Sequence, residues 1–240
     1  MNSALLVAGR ELLAYLKSPL GYVVTAAALL CEGIYFYAFG LTGAKLSAEV
    51  LFRFFDGTAF ITMAAAMVLS IRLLAGEREN NTLVLLSTAP IRETEIVAGK
   101  FLAAFALIVG MTALTFYMPL LIFVNGKVAL GHIFVGYLGV LLLGATSLSI
   151  GLFASAVSPT QVIAAIGGAV LLATLALLFF VAKVTDPPLN GILSALSPYP
   201  GQMRPFMNGV LRLENVLYFV FVAYFFLFAA TKTLEARRWR

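Results

Sequence analysis

Six stretches of this chain are long and apolar enough to cross the hydrocarbon core of a bilayer. That constrains the fold more than any motif does. They cover residues 20–39, 57–75, 96–123, 133–157, 162–184 and 216–232. A spanning helix needs about 20 mostly apolar residues. Inside a bilayer every backbone N–H and C=O must be satisfied within the protein, so only helices or closed barrels span it. Barrel strands run to about ten residues with strict alternation, and these stretches are longer and do not alternate. Composition agrees. Hydrophobic residues make up 62% of the 240 and charged residues 11%, against roughly 25% charged in a soluble domain. A soluble enzyme, a disordered chain and a nucleic-acid-binding domain are excluded. The expected fold is a single all-α membrane domain over residues 1–240.

Residues 1–18 read as an amphipathic interfacial helix ahead of the first span. Leu5, Leu6, Leu12, Leu13 and Leu16 fall near one face, with Arg10, Glu11 and Lys17 elsewhere. The segment is too short and too charged to span, and it suits a helix lying along the membrane surface. Ser18-Pro19 ends it, because the residue before a proline disfavours helix. No removable signal peptide is expected in this stretch. Six spans put both termini on one side. With that side cytoplasmic, the inner basic residues are Arg10, Lys17, Arg72, Arg78, Arg92, Lys100, Lys232, Arg237, Arg238 and Arg240, ten in all. The outer ones are Lys45, Arg53, Lys127, Lys183, Arg204 and Arg212, six in all. Lys and Arg are enriched in cytoplasmic loops, so both termini are expected inside a bacterial cytoplasmic membrane. The tail Arg237-Arg238-Trp239-Arg240 suits anionic headgroups.

Two connections stand out. Residues 76–95 form a longer, half-apolar inner loop. Residues 185–215 form the longest outer loop, whose segments 190–196 and 206–211 are expected to be short helices dipping into the outer leaflet, covered by protein. The chain has no GxxxxGK[ST] phosphate loop. His132 and Cys31 are its single histidine and single cysteine, so no metal-ligand spacing, no Ser/His/Asp arrangement and no intrachain disulfide can be drawn. No enzyme activity is expected of this chain. His132 reads as an interfacial residue beside a span end. Gly136, Gly139, Gly144 and Gly151 in the fourth stretch, with Gly167-Gly168 in the fifth, permit close helix approach. The aromatic run from Tyr218 to Phe228 reads as lipid-facing or packing surface.

Glu32 is the one acid within the first stretch. An intramembrane carboxylate is costly and is a functional hypothesis by default. Two readings stay open: a polar site on a substrate pathway, or a carboxyl that serves helix packing. Two readings also attach to Arg72–Pro90. Its first half is charged and its second apolar, so a short helix with Thr82, Leu83, Leu85 and Leu86 on one face must pack on something. It is either an ordinary surface helix or a docking helix for a partner. Arg72 and Glu77 can pair at the membrane edge, and Lys100 can snorkel to the surface.

The pattern Arg72-x-x-Ala75-x-Glu77-Arg78-x-x-x-Thr82-Leu83-x-x-Leu86-x-x-x-Pro90, with Glu95-Ile-Val-x-Gly99-Lys100 after it, resembles the signature of ABC-2 type transporter permeases. Arg10-Glu11-Leu12, Tyr15-Leu16-x-Ser18-Pro19-x-Gly21-Tyr22, Leu196-Ser197-Pro198-Tyr199, Phe206-x-x-Gly209-Val210, Asn215-Val-Leu-Tyr218-Phe219 and the Arg237-Arg238-Trp239 tail are similar to its gliding-motility and copper-maturation branch. One departure is Asn81, where the family usually has Gly before Thr-Leu. The resemblance implies a type V-like exporter transmembrane domain, with Glu77, Arg78, Thr82, Leu83 and Leu86 forming the ATPase-coupling surface. It implies two ATPase subunits that bind ATP and Mg²⁺, no cofactor in this chain, and a second permease copy or paralogue. Alternatives are a scaffold passing conformational change to a periplasmic partner, and an ATP-independent carrier.

Overall fold

The computed structural model describes residues 3–42, 46–80, 92–126 and 128–238. Every regular element among them is helical. Helix α1 (Ser3–Lys17) is followed by α2 (Pro19–Gly40), α3 (Ser47–Glu79), α4 (Glu93–Val124), α5 (Leu130–Val157) and α6 (Gln161–Ala182). Two short helices, α7 (Leu189–Leu196) and α8 (Arg204–Met207), precede the last, α9 (Leu213–Arg238). Six of these are long and apolar enough to cross a membrane: α2 to α6 and α9.

Each boundary has a local cause. Pro19 opens α2 at a position that needs no N–H. At the start of α4 the Glu95 carboxylate accepts from the Arg92 backbone N–H at 3.1 Å, a capping-box closure that satisfies an orphan donor. Thr160 caps α6 by accepting from the Ile163 N–H. Helix α8 stops at Met207 rather than running on to residue 211, because Gly209 takes φ +73°, a left-handed geometry that ends helices.

Helix α5 is the central post. It packs against α3, α9 and α6, and close approach is obligatory where it meets α3. A methyl group at Gly151 would lie 1.9 Å from the Ser70 hydroxyl, and one at Gly136 would lie 2.2 Å from the Phe55 ring. Gly167 has open space around it, whereas Gly168 faces Met67. The outer spans present apolar side chains outward, among them Tyr22, Ile34, Phe180, Phe221 and Tyr224, as a bilayer-embedded bundle requires. In the aromatic run Phe219 is the exception. It is buried and packs on Phe206.

Helix α1 lies against α4. It buries Val7 and Tyr15 and leaves Leu5, Leu6, Leu13 and Leu16 exposed. Those four leucines therefore point outward, and the narrower face with Val7 packs on Gly99, where a Cβ would meet the Val7 side chain at 2.8 Å. The bundle thus has an α1 end and a far end, each with its own core. Tyr15, Leu69, Leu74, Val97, Leu152 and Leu234 belong to the first. Phe54, Phe55, Tyr137, Met203, Phe206 and Phe219 belong to the second.

Candidate functional site

The α1 end carries an ionic cluster. Lys100, about two turns into α4 and only 1% exposed, places its Nζ 2.7 Å from Glu77 Oε1 and 3.3 Å from Glu11 Oε1. Arg10 lies 2.9 Å from Glu11 and 3.7 Å from Glu77. Lys100 therefore does not snorkel. It is the buried centre of a cluster joining α1, the end of α3 and the start of α4. Burial pushes the Glu11 pKa up, but Lys100 and Arg10 outweigh it and hold the carboxyl below its ordinary value. Glu77 is committed to Lys100 and Arg10. The Tyr15 hydroxyl adds a neutral tie, donating to the Leu69 carbonyl at 3.1 Å.

The neighbouring residues of α3 grip the opposite side of the bundle. The Arg78 guanidinium donates to the Ser158 and Ala156 carbonyls at the end of α5. Those carbonyls form the negative end of the helix, so a cation is well placed there. The Gln161 amide donates to Glu79 at 2.8 Å. Just before this, residues Arg72–Gly76 form a wide π-type turn. The turn has an identifiable support, since the Ser155 hydroxyl of α5 enters it. That oxygen accepts from the N–H groups of Leu74 (3.2 Å) and Ala75 (2.8 Å) and donates to the Ile71 carbonyl at 2.9 Å. Side-chain insertion of this kind stabilises local departures from α-helix. Of the five residues expected to form a coupling surface, the structure brings Glu77 and Arg78 to this end, braced from both sides. Thr82, Leu83 and Leu86 lie outside the described residues.

Toward the far end, Glu32 is 2% exposed, and neither of its carboxyl oxygens has a hydrogen-bond partner. Thr58 and Thr62 of α3 likewise bury hydroxyl oxygens without a partner. Two residues before Thr58 on α3 lies Asp56, which sequence reasoning missed. It accepts from Tyr35 at 2.8 Å and from Tyr199 at 2.8 Å. The pair clamps α2 and the segment between α7 and α8 onto α3. Burial, then the adjacent carboxylate, push the Tyr199 phenol pKa up, so it stays a donor. Asp56 sits one residue before the apolar stretch as read from the sequence, and its partner Tyr199 is 143 residues away. A carboxylate at a span edge was the available signal.

His132 is half-buried rather than a free interfacial side chain. Its Nε2 lies 2.8 Å from the Met207 carbonyl, and its ring stacks on Phe55. It pins α8 to α5, a structural role. Among the described residues no group of three or more His, Cys, Asp and Glu is placed to hold a metal.

The arrangement is that of a multi-pass membrane bundle. One end presents a braced, charged helix terminus, and a few buried polar side chains of α2 and α3 lie within the bundle. Comparison with known families agrees with the signature read around Glu77. The sequence profile of the family described as "ABC-2 family transporter protein" matches residues 7–208, which takes in α1 through α8. No individually curated protein matches the chain. The chain belongs to the ABC-2 family of transporter proteins, as the membrane-spanning permease component of an ABC transporter.

Proposed function

We propose that this chain is one half of the pore of an ATP-driven exporter in a bacterial cytoplasmic membrane. It pairs with a second copy or a paralogue and with two ATPase subunits that bind ATP and Mg²⁺. The α1 end faces the cytoplasm, and the segment that follows Glu79 docks on the ATPase. The observation that carries this reading is the bracing of residues Glu77 to Glu79. A helix terminus held by Lys100 and Arg10 on one side and by the Ser158 and Ala156 carbonyls and Gln161 on the other passes a push from below into several spans at once. An ATP-independent carrier has no need of such a terminus. Nucleotide favours one state only through differential affinity, and a stiff connection lets the ATPase state bias the bundle.

The test is co-purification with the ATPase partner from nanodiscs, comparing wild type with a Glu77→Ala/Leu83→Asp double variant. The expected result is that the ATPase accompanies wild type and is lost or uncoupled in the variant. If no ATPase associates under any nucleotide condition, the reading falls.

A second reading follows from the Tyr35–Asp56–Tyr199 clamp, which ties the far-end connection directly to α2 and α3. In it the assembly transmits conformational change to a periplasmic partner instead of moving a substrate, as the likeness to the gliding-motility and copper-maturation branch suggests. Loss of that partner from the purified assembly on Asp56→Asn, with ATPase association kept, would favour it.

A further inference from the structure

At the far end of the bundle two cations converge on one aromatic ring. Lys183, at the end of α6, places its Nζ 4.8 Å from the centre of the Phe179 ring, and the Arg204 guanidinium carbon, at the start of α8, lies 5.2 Å from the same centre. The two charges are therefore no more than about 10 Å apart. Lys183 also lies 5.6 Å from the Phe180 ring, which meets Phe179 edge-on. Phe179 is half-buried, and Gly201 of the segment between α7 and α8 backs it: a Cβ there would come 3.7 Å from the ring and 2.8 Å from the Ser194 carbonyl oxygen. A ring face attracts cations through its quadrupole, but it carries no net charge to cancel theirs.

The chain supplies no counter-charge either. All of its 11 acids lie among the described residues, and none of them forms an ion pair with Lys183 or Arg204. Asp186 is only three residues beyond Lys183 and still does not pair with it. Asp56 is taken up by Tyr35 and Tyr199. Two like charges about one screening length apart in physiological salt repel one another. Both side chains are exposed, so they are open to an anion from outside. Exposed apolar surface adjoins them. Leu177, Phe180 and Val181 point outward from the last turns of α6, and Leu189, Ile192 and Leu196 point outward from α7, which packs on α6. Paired cations at a span end, beside exposed apolar side chains, match the layout of a phospholipid, with its charge at the surface and its chains along the helices.

We propose that Lys183 and Arg204 together bind the phosphate of an anionic phospholipid whose chains lie on the outward faces of α6 and α7. The guanidinium offers paired donors that match phosphate oxygens, and the ammonium adds a compact charge with three donors. Charge-assisted bonds of about 2.8 Å to each are the strong kind. A headgroup with net negative charge is preferred to a zwitterionic one, whose phosphate already has its own cation. The bound lipid joins α6 to the segment whose Tyr199 reaches Asp56, so the charge of the leaflet acts on that connection. With the orientation proposed above this is the outer leaflet; the binding itself does not depend on that reading.

The experiment is native mass spectrometry of the purified transporter, titrated with dioleoylphosphatidylglycerol or with dioleoylphosphatidylcholine, which shares its chains. Wild type is expected to bind the anionic lipid more tightly. A cation near the membrane surface contributes about fivefold in affinity for anionic lipid, so Lys183→Gln and Arg204→Gln should each weaken binding by about that factor. The Lys183→Gln/Arg204→Gln double variant should retain one phosphatidylglycerol fewer than wild type, with phosphatidylcholine binding unchanged. Arg204→Lys keeps the charge and recovers part of the loss. Arg212→Gln alters an exposed cation already paired with Glu214 and should leave the phosphatidylglycerol count unchanged. Glycerol 1-phosphate carries the headgroup phosphate without chains and should not displace the lipid at matched concentration. A thermal midpoint equal to wild type in phosphatidylcholine certifies that each variant is folded. Equal binding of the two lipids, an unchanged phosphatidylglycerol count in the double variant, or full displacement by glycerol 1-phosphate overturns the proposal. Failure of the ATPase to co-purify, with the Lys183- and Arg204-dependent lipid retained, would sink the permease reading and leave this one standing.

Discussion

Lys100 and Glu32 are buried to almost the same degree, 1% and 2% exposed, yet their surroundings are opposite. Lys100 has two carboxylates within 3.3 Å, Glu77 and Glu11. Glu32 has no hydrogen-bond partner at either oxygen. A charge that is buried and matched within its own chain behaves as a tie between elements. A carboxyl that is buried and unmatched is held by the rest of the fold at a cost. The same bundle therefore keeps its structural ionic chemistry at the α1 end and its unsatisfied polarity inside α2 and α3.

The largest expected effect tests the first half of that contrast. Lys100→Met leaves Glu77 and Glu11 with only the exposed Arg10 and should cost about 3 kcal/mol, read as the steepest loss of thermal stability in nanodiscs. A Lys100→Met/Glu77→Met/Glu11→Leu combination should recover much of it, since apolar replacement of a whole buried ionic group is often neutral or better. If the single variant is as stable as wild type, the cluster is not a tie. Next in size is Ser155→Ala, which strips the acceptor from the Leu74 and Ala75 N–H groups. An unsatisfied buried donor costs about 1–3 kcal/mol, so an intermediate loss is expected. ATPase stimulation should fall with it, while association with the ATPase persists.

A smaller effect should appear with pH. The folded pKa of Glu11 is depressed, so its contribution is present above its unfolded value, about 4.3. It is lost as pH falls through the lower folded value. Thermal midpoints should be flat from neutral pH down to about 5 and drop below about 4.3, and Glu11→Gln should flatten that drop. Smallest of all is Glu32→Gln, expected to shift the midpoint by less than about 2 °C, or upward, because it removes an unmatched carboxyl. A large destabilisation there would mean Glu32 is matched after all, and the contrast with Lys100 would collapse.

Much of the bundle was legible because long apolar runs leave few options. Glu32 stood out for the same reason, as a lone acid in such a run. What was not legible depends on side chains meeting across distant parts of the chain. Lys100 reads as a snorkelling residue until α1 is seen packed on α4, bringing Glu11 to it. Asp56 draws no reading of its own until Tyr35 and Tyr199 are seen to converge on it. Ser155 carries no local signal, since its role is set by a turn of α3 more than 80 residues away. The pairing read between Arg72 and Glu77 gives way to one between Glu77 and Lys100, 23 residues further along the chain.

The length of α3 has a mechanical consequence. From Ser47 to Glu79 it is one rod of 33 residues, about 50 Å long at the helical rise, well beyond a hydrocarbon core of about 30 Å. It carries Glu77 to Glu79 at one tip, Asp56 and Thr58 toward the other, and a wide turn at Arg72–Gly76 that Ser155 splints. A splinted rod pivoted in α5's grip is a lever. Tilting it by about 5° about its middle moves each tip by about 2 Å in opposite directions and Asp56, about 10 Å from that middle, by about 1 Å, enough to lengthen its hydrogen bonds without any helix having to bend.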